Sequence, residues 1–141
     1  MTLPIVRVSG LRPYPPRSSQ FSRTFWDALA EGRWITSTCS QCGEQTFPPK
    51  SVCPHCWASD PDWGELNSRG VVYSWTRVHA APTAFAGHAP YAVGIVDLEG
   101  GLRIACRIVA GREGSIAIGD PVEMIVLRYE DGPLFAARVA T

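Results

Sequence analysis

The stretch "CSQCGEQTFPPKSVCPHC", from Cys39 to Cys56, constrains this chain most. Two Cys-x-x-Cys pairs stand ten residues apart and hold four of the five cysteines. Zinc takes four thiolates at tetrahedral angles, and a Cys-x-x-Cys pair on a tight turn brings two sulfurs to one side. Gly43, directly after Cys42, relaxes the first turn, whereas "CPHCW" opens on a proline and has no matching glycine. The segment between the pairs is long enough to run out and back as a short ribbon. Together Cys39, Cys42, Cys53 and Cys56 close the coordination shell and leave no position for water or substrate, so the site is expected to be structural. Iron in a rubredoxin-like cage remains an alternative, because the same sulfur tetrahedron accepts it. A redox dithiol needs only one pair and a βαβ setting that this sequence lacks. His55, between two ligands, reads as solvent-facing. A metal contributes about 10–16 kcal/mol in small zinc peptides, and a segment of ~30 residues with little core depends on that.

The rest of the 141-residue chain bounds the possibilities. Thirteen basic residues balance thirteen acidic ones, so the basic excess that broad nucleic-acid binding needs is missing and association with other proteins is favoured. No apolar run approaches the ~20 residues of a membrane span. The start, "MTLPIVRVSG", lacks a basic segment followed by an apolar one, so no secretory signal is read and a cytoplasmic location with reduced thiols is expected.

Three segments are expected. Residues 1–17 carry four of the twelve prolines and read as an extended arm, either a disordered terminus or an arm on a partner subunit. Residues 18–66 hold a helix and the cysteine ribbon. In "SSQFSRTFWDALAEGRW", Ser18 or Ser19 can cap the start and Gly32 can stop the end. Phe21, Phe25, Trp26 and Leu29 share one face, which either packs on its own domain or docks another chain. Residues 67–141 are β-rich. Five runs beginning at Gly70, Tyr91, Leu102, Pro121 and Pro133 are separated by the turn signals "LEGG", "AGREGS" and "EDGP". In the third run Leu102, Ile104, Cys106 and Ile108 alternate with Arg103, Ala105, Arg107 and Val109. Five short strands suit a small closed barrel, since closure removes exposed edges. The fold class is therefore mainly β, with an N-terminal helix and a four-cysteine zinc ribbon before a five-stranded barrel.

No catalytic constellation emerges. His79 and His88 have no sequence-local nucleophile. Simple alternation puts Ser74 and Thr76 on the face opposite Tyr73, Trp75, Arg77 and His79. Asp97 and Glu99 form either a carboxylate pair or an acidic turn, and Cys106 reads as a buried small hydrophobe. The loop 80–90, small side chains around Phe85, is either a floppy connection or a close-packing surface.

The order "FWDALAEG", "CSQCGEQTFPPKSVCPHC", "GVVYSWTRVH", "PYAVGIVDLEGGLRIACRIV" and "IAIGDPVEM" resembles the acyl-CoA-associated OB-fold family with an N-terminal rubredoxin-like zinc ribbon. The resemblance spans roughly residues 20–140. It implies an OB-type barrel and structural Zn2+ on Cys39, Cys42, Cys53 and Cys56. It further implies a non-catalytic subunit that forms a hetero-oligomer with a thiolase-superfamily protein, such as a thiolase, an acyltransferase or a steroid side-chain aldolase in lipid and steroid degradation. The small subunit would stabilise that partner and help shape its acyl-CoA passage. A MaoC-like enoyl-CoA hydratase is an alternative partner. Phe21, Phe25, Trp26 and Leu29 match the family's N-terminal helix. Arg77, Arg103 and Arg107 are candidates for CoA phosphates, or plain solvated surface, and Phe85 and Tyr91 are candidates for the acyl chain. A nucleic-acid module using Tyr73 and Trp75 as a stacking platform is a further alternative.

Overall fold

A computed structural model of the protein describes residues 2–111 and 114–140, so part of the "AGREGS" turn lies outside the described residues. The elements run β1 (Ile5–Arg7), α1 (Gln20–Ala30), β2 (Ile35–Thr38), β3 (Gln45–Thr46), β4 (Asp62–Glu65) and β5 (Arg69–Val78). After a 3-10 turn over Thr83–His88 come β6 (Tyr91–Leu98), β7 (Arg103–Val109), β8 (Pro121–Tyr129) and β9 (Gly132–Val139).

The last five strands close on themselves. Their order is β8-β5-β6-β7-β9, and β9 pairs back onto β8. All the pairings are antiparallel except β7 with β9. Inside the closed barrel lie Val72, Val96, Leu98, Ile104, Ile108, Val122, Met124 and Val126. The third strand alternates as its sequence requires: Ile104 and Ile108 are buried, and Arg103 and Ala105 are exposed.

The first barrel strand does not alternate simply. Val72 pairs with Val96 and Ser74 with Ile95, so Tyr73 is an extra residue in a β-bulge. A bulge shifts the pleat by one position and exchanges the faces of everything after it. Tyr73 is exposed, whereas Trp75 packs on the core. The expected single face of Tyr73, Trp75, Arg77 and His79 is therefore split, and with it the stacking platform for nucleic acid. Gly94, opposite Trp75, makes the arrangement possible. A Cβ there would meet the Ser74 carbonyl oxygen and stand 2.7 Å from Ile108 Cδ1.

The Pro-rich arm begins as an extended strand and not as a loose terminus. It lies on its own barrel, where β1 runs parallel to Val126–Arg128 of β8. The cause is an incomplete edge, because β5 covers only Pro121–Glu123 of β8 and leaves the rest open for pairing. Leu3 is buried at the helix end and donates its N–H to the Gly32 carbonyl at 2.7 Å. Farther on, Arg12 donates to the Asp131 and Pro133 carbonyls and pairs with the Asp131 carboxylate.

Helix α1 starts at Ser19, whose hydroxyl accepts from the Ser22 N–H at 3.1 Å, and the chain leaves it through Gly32 at φ +83°. Phe25 and Leu29 are 3% and 0% exposed, respectively. Of the two roles open to this face, these two residues pack within their own chain. Phe25 meets Trp26, Trp34, Phe47 and Phe135 with ring centroids 5.0–6.1 Å away. One aromatic cluster thus joins helix, ribbon and barrel. Phe21 and Trp26 are half-buried, on Trp63 and Phe135 respectively.

Candidate metal centre and apolar groove

The ribbon is a three-stranded sheet, β3-β2-β4, extended by two cysteine knuckles. The first knuckle follows β2. Cys39 Sγ accepts the backbone N–H groups of Cys42 and Gln41, which pull its thiol down to about 6. The second knuckle repeats this local pattern around Cys53, whose sulfur accepts the His55 N–H at 3.4 Å. The loop between them is tied back by Lys50 N–H donating to Ser37 Oγ at 2.9 Å.

The two knuckles bring all four sulfurs within 4.8 Å of one another. Cys39 and Cys56 are 3.5 Å apart and Cys42 and Cys53 3.7 Å. A zinc ion with bonds of about 2.3 Å needs sulfurs about 3.8 Å apart at the corners of a tetrahedron, so the donor set fits. Cys39 and Cys53 are buried, and Cys42 and Cys56 are exposed. His55 is exposed and lies outside this group. Zinc bound here would cross-link two knuckles that have little apolar core between them.

The second feature lies on the barrel. A groove of about 630 Å³ is lined by Trp75, Phe85, Tyr91, Val93, Ile95, Leu127, Leu134 and Pro13. The parallel pairing of β7 with β9 begins at Arg107 and Ala136, and the residues just before them, Cys106 and Phe135, also line the groove. Burial pushes the Cys106 thiol up to about 12, against a backbone hydrogen bond involving Ala137, so it stays an unreactive thiol.

Of the residues expected at an acyl-CoA, Phe85, Tyr91 and Arg107 come together on this groove. The Phe85 and Tyr91 rings are 5.8 Å apart, and the Arg107 guanidinium lies 5.5 Å from the Tyr91 ring centre. Arg77 and Arg103 do not line it. Arg77 is exposed and approaches Trp75, while Arg103 is held by Asp97 at 2.7 Å and stacks 3.8 Å over Tyr73. Asp97 is thereby the partner of an arginine and not half of a carboxylate pair. His79 is exposed, and neither it nor His88 lines the groove. Sequence reasoning missed Pro13, Ile95, Leu127 and Leu134 as groove residues. Gly94 inside a strand was the one available signal, since an isolated strand glycine marks a bulge or a close approach.

The sequence matches two family models. The ChsH2 rubredoxin-like zinc ribbon domain covers residues 26–62, and the ChsH2 C-terminal OB-fold domain covers residues 63–128. A DUF35 domain-containing scaffold protein of Methanocaldococcus jannaschii is 38% identical over 96 residues, which is 67% of this chain and 68% of that one. The chain belongs to the ChsH2-type zinc-ribbon and OB-fold family, also described as DUF35. Within this family, the benzoylsuccinyl-CoA thiolase subunit BbsA of Thauera aromatica is 36% identical over 97 residues, 66% of this chain and 62% of that one. Among solved structures, a chain of the Ltp2-ChsH2(DUF35) aldolase superposes with a TM-score of 0.78 at 30% identity, covering 90% of this chain and 100% of that one. The expected resemblance thus holds, and the four cysteines occupy the family's zinc ribbon, consistent with structural zinc.

Proposed function

We propose that this protein is the non-catalytic partner subunit of a thiolase- or aldolase-type enzyme acting on acyl-CoA thioesters. The observation that carries this reading is the likeness, over the whole of that chain, to the family member in the Ltp2-ChsH2(DUF35) aldolase. The identity to a benzoylsuccinyl-CoA thiolase subunit supports it from a second direction. In this reading the ribbon and helix stabilise the assembly, and the groove shapes the end of the acyl passage. An apolar groove with one guanidinium at Arg107 suits an acyl chain better than a sugar or a polar metabolite. Of the three arginines expected at CoA phosphates, Arg107 and Arg77 remain open, because Arg103 is already engaged by Asp97. Retro-aldol cleavage of a steroid or other side-chain β-hydroxyacyl-CoA and thiolytic transfer are the two specific forms, and the companion's chemistry selects between them. Reduced thiols for the metal fit a cytoplasmic assembly.

Purification of the tagged chain from its native host tests the reading. The expected result is a stoichiometric companion with a thiolase fold. A chain that elutes alone, or with a companion unrelated to acyl-CoA chemistry, refutes it.

A further inference from the structure

The two cysteine knuckles close in the same way with very different residues. In the first, Gly43 donates its N–H to the Cys39 carbonyl at 3.0 Å and takes φ +77°. In the second, Trp57 donates to the Cys53 carbonyl at 2.9 Å and takes φ +66°. Glycine occupies this left-handed conformation freely. A residue with a Cβ is strained there, because the Cβ crowds the following carbonyl oxygen.

The Trp57 backbone closes the knuckle, but its side chain is not among those packed on the core. Trp57 is 82% exposed, the most exposed large hydrophobic residue among those described. The other tryptophans, Trp26, Trp34, Trp63 and Trp75, all belong to or pack on the core. Val52, which bridges to Ser59 at the base of the same knuckle, is 44% exposed, so the knuckle shows solvent a second apolar side chain. The ribbon as a whole is acidic: over residues 35–65 Glu44, Asp60, Asp62 and Glu65 face solvent against the single cation Lys50, and Asp60 lies three residues from Trp57. Strain held at a surface residue points to a use for that residue, and tryptophan is enriched among the few side chains that dominate protein interfaces.

We infer that Trp57 is the anchor by which the ribbon docks its partner, seated in an apolar pocket whose rim is basic. The partner is the acyl-CoA-processing subunit, so the inference rests on the function proposed above. It adds the contact residue, the character of the opposing surface and a stability signature. A basic rim complements the acidic ribbon and steers the approach, while the indole provides the buried area.

The test uses the full, metal-loaded chain with Trp57→Gly and Trp57→Asn, and Val71→Ser on the barrel as a control. Because both replacements tolerate the left-handed conformation, the isolated variants should melt at or up to about 3 °C above the parent. Their affinity for the purified companion should fall by about 30-fold, with the control unchanged. A photocrosslinker placed at position 57 should capture the companion. A clear drop in melting temperature for both variants would mean that Trp57 serves its own fold, and the inference falls. It also falls if affinity is unchanged within about twofold, or if the crosslinker captures only a second copy of this chain. The proposed function survives either result so long as the companion still co-purifies. If the crosslinked and weakened partner is a protein without acyl-CoA chemistry, the anchor stands and the proposed function fails.

Discussion

Replacing Phe25 with alanine tests whether ribbon, helix and barrel form one cooperative unit. Phe25 is 3% exposed and touches rings from three other parts of the chain: Trp34 before the ribbon, Phe47 within it and Phe135 of the barrel. Removing a buried phenylalanine ring costs about 3–5 kcal/mol, from lost transfer energy plus the cavity left behind. This site favours the upper half of that range, because four stiff rings cannot collapse into the gap as aliphatic chains would. For a chain of this length each kcal/mol shifts the melting temperature by about 3–4 °C, so a loss of about 4–5 kcal/mol gives an expected drop of about 12–20 °C. The assay is a thermal melt of metal-loaded protein, followed in parallel by near-UV circular dichroism and by metal capture with a chromophoric chelator. Both transitions should move down together, since the lost ring bridges both parts. A drop of less than about 4 °C, or metal release that stays put while the barrel melts earlier, would show that the two parts are not coupled through this cluster.

Four further outcomes follow from particular contacts. Cys39→Ser removes one corner of the tetrahedron; metal content should fall to near zero, with hydrogen-exchange protection lost in β2–β4, and full retention of metal would contradict the ligand assignment. Gly94→Ala sets a Cβ 2.7 Å from Ile108 Cδ1 and against the Ser74 carbonyl, and should destabilise by about 1–3 kcal/mol in urea titration, whereas a neutral result would place the bulge elsewhere. Asp131 is held below its ordinary range, first by the Arg12 backbone N–H and also by the Arg12 guanidinium. Its folded form binds the proton less readily than its unfolded form, so its contribution is present above about pH 4 and is lost as pH falls through the depressed value. Asp131→Asn should therefore loosen the arm, read as faster amide exchange at residues 5–12, at pH 5–7, and the difference from the parent should close at lower pH. Val93→Trp adds bulk to the groove lining; it should abolish acyl-CoA protection of the assembled complex with little change in melting temperature, and undiminished protection would exclude the groove as the acyl site.

The cysteine spacing and the alternation of residues 102–109 made the metal centre and one barrel strand legible, because both patterns are local. The helix was equally plain, with its serine cap and glycine exit. What its aromatic face touches was not, since Phe47 and Phe135 are distant in sequence from Phe25. The strand around Tyr73 misled simple alternation, because a bulge depends on the neighbouring strand's register as much as on its own residues. The arm's course depended on β8 being longer than the part that β5 covers, a fact about strand pairing that no stretch of residues 1–17 contains.

By itself, then, the sequence determined which residues can bind a metal, which segments are helical or extended, and that charge is balanced. These follow from side-chain chemistry and short-range periodicity. The tertiary structure decided which aromatic residues become core, which arginines remain free, and where the groove opens. Each of these depends on barrel closure, which brings distant strands into register and turns the outer faces of β5 to β9 into one surface. It also decided the contrast between the two knuckles: the same left-handed turn carries a glycine at residue 43 and an exposed tryptophan at residue 57. Only the geometry shows that the second turn carries an indole that its own core does not pack.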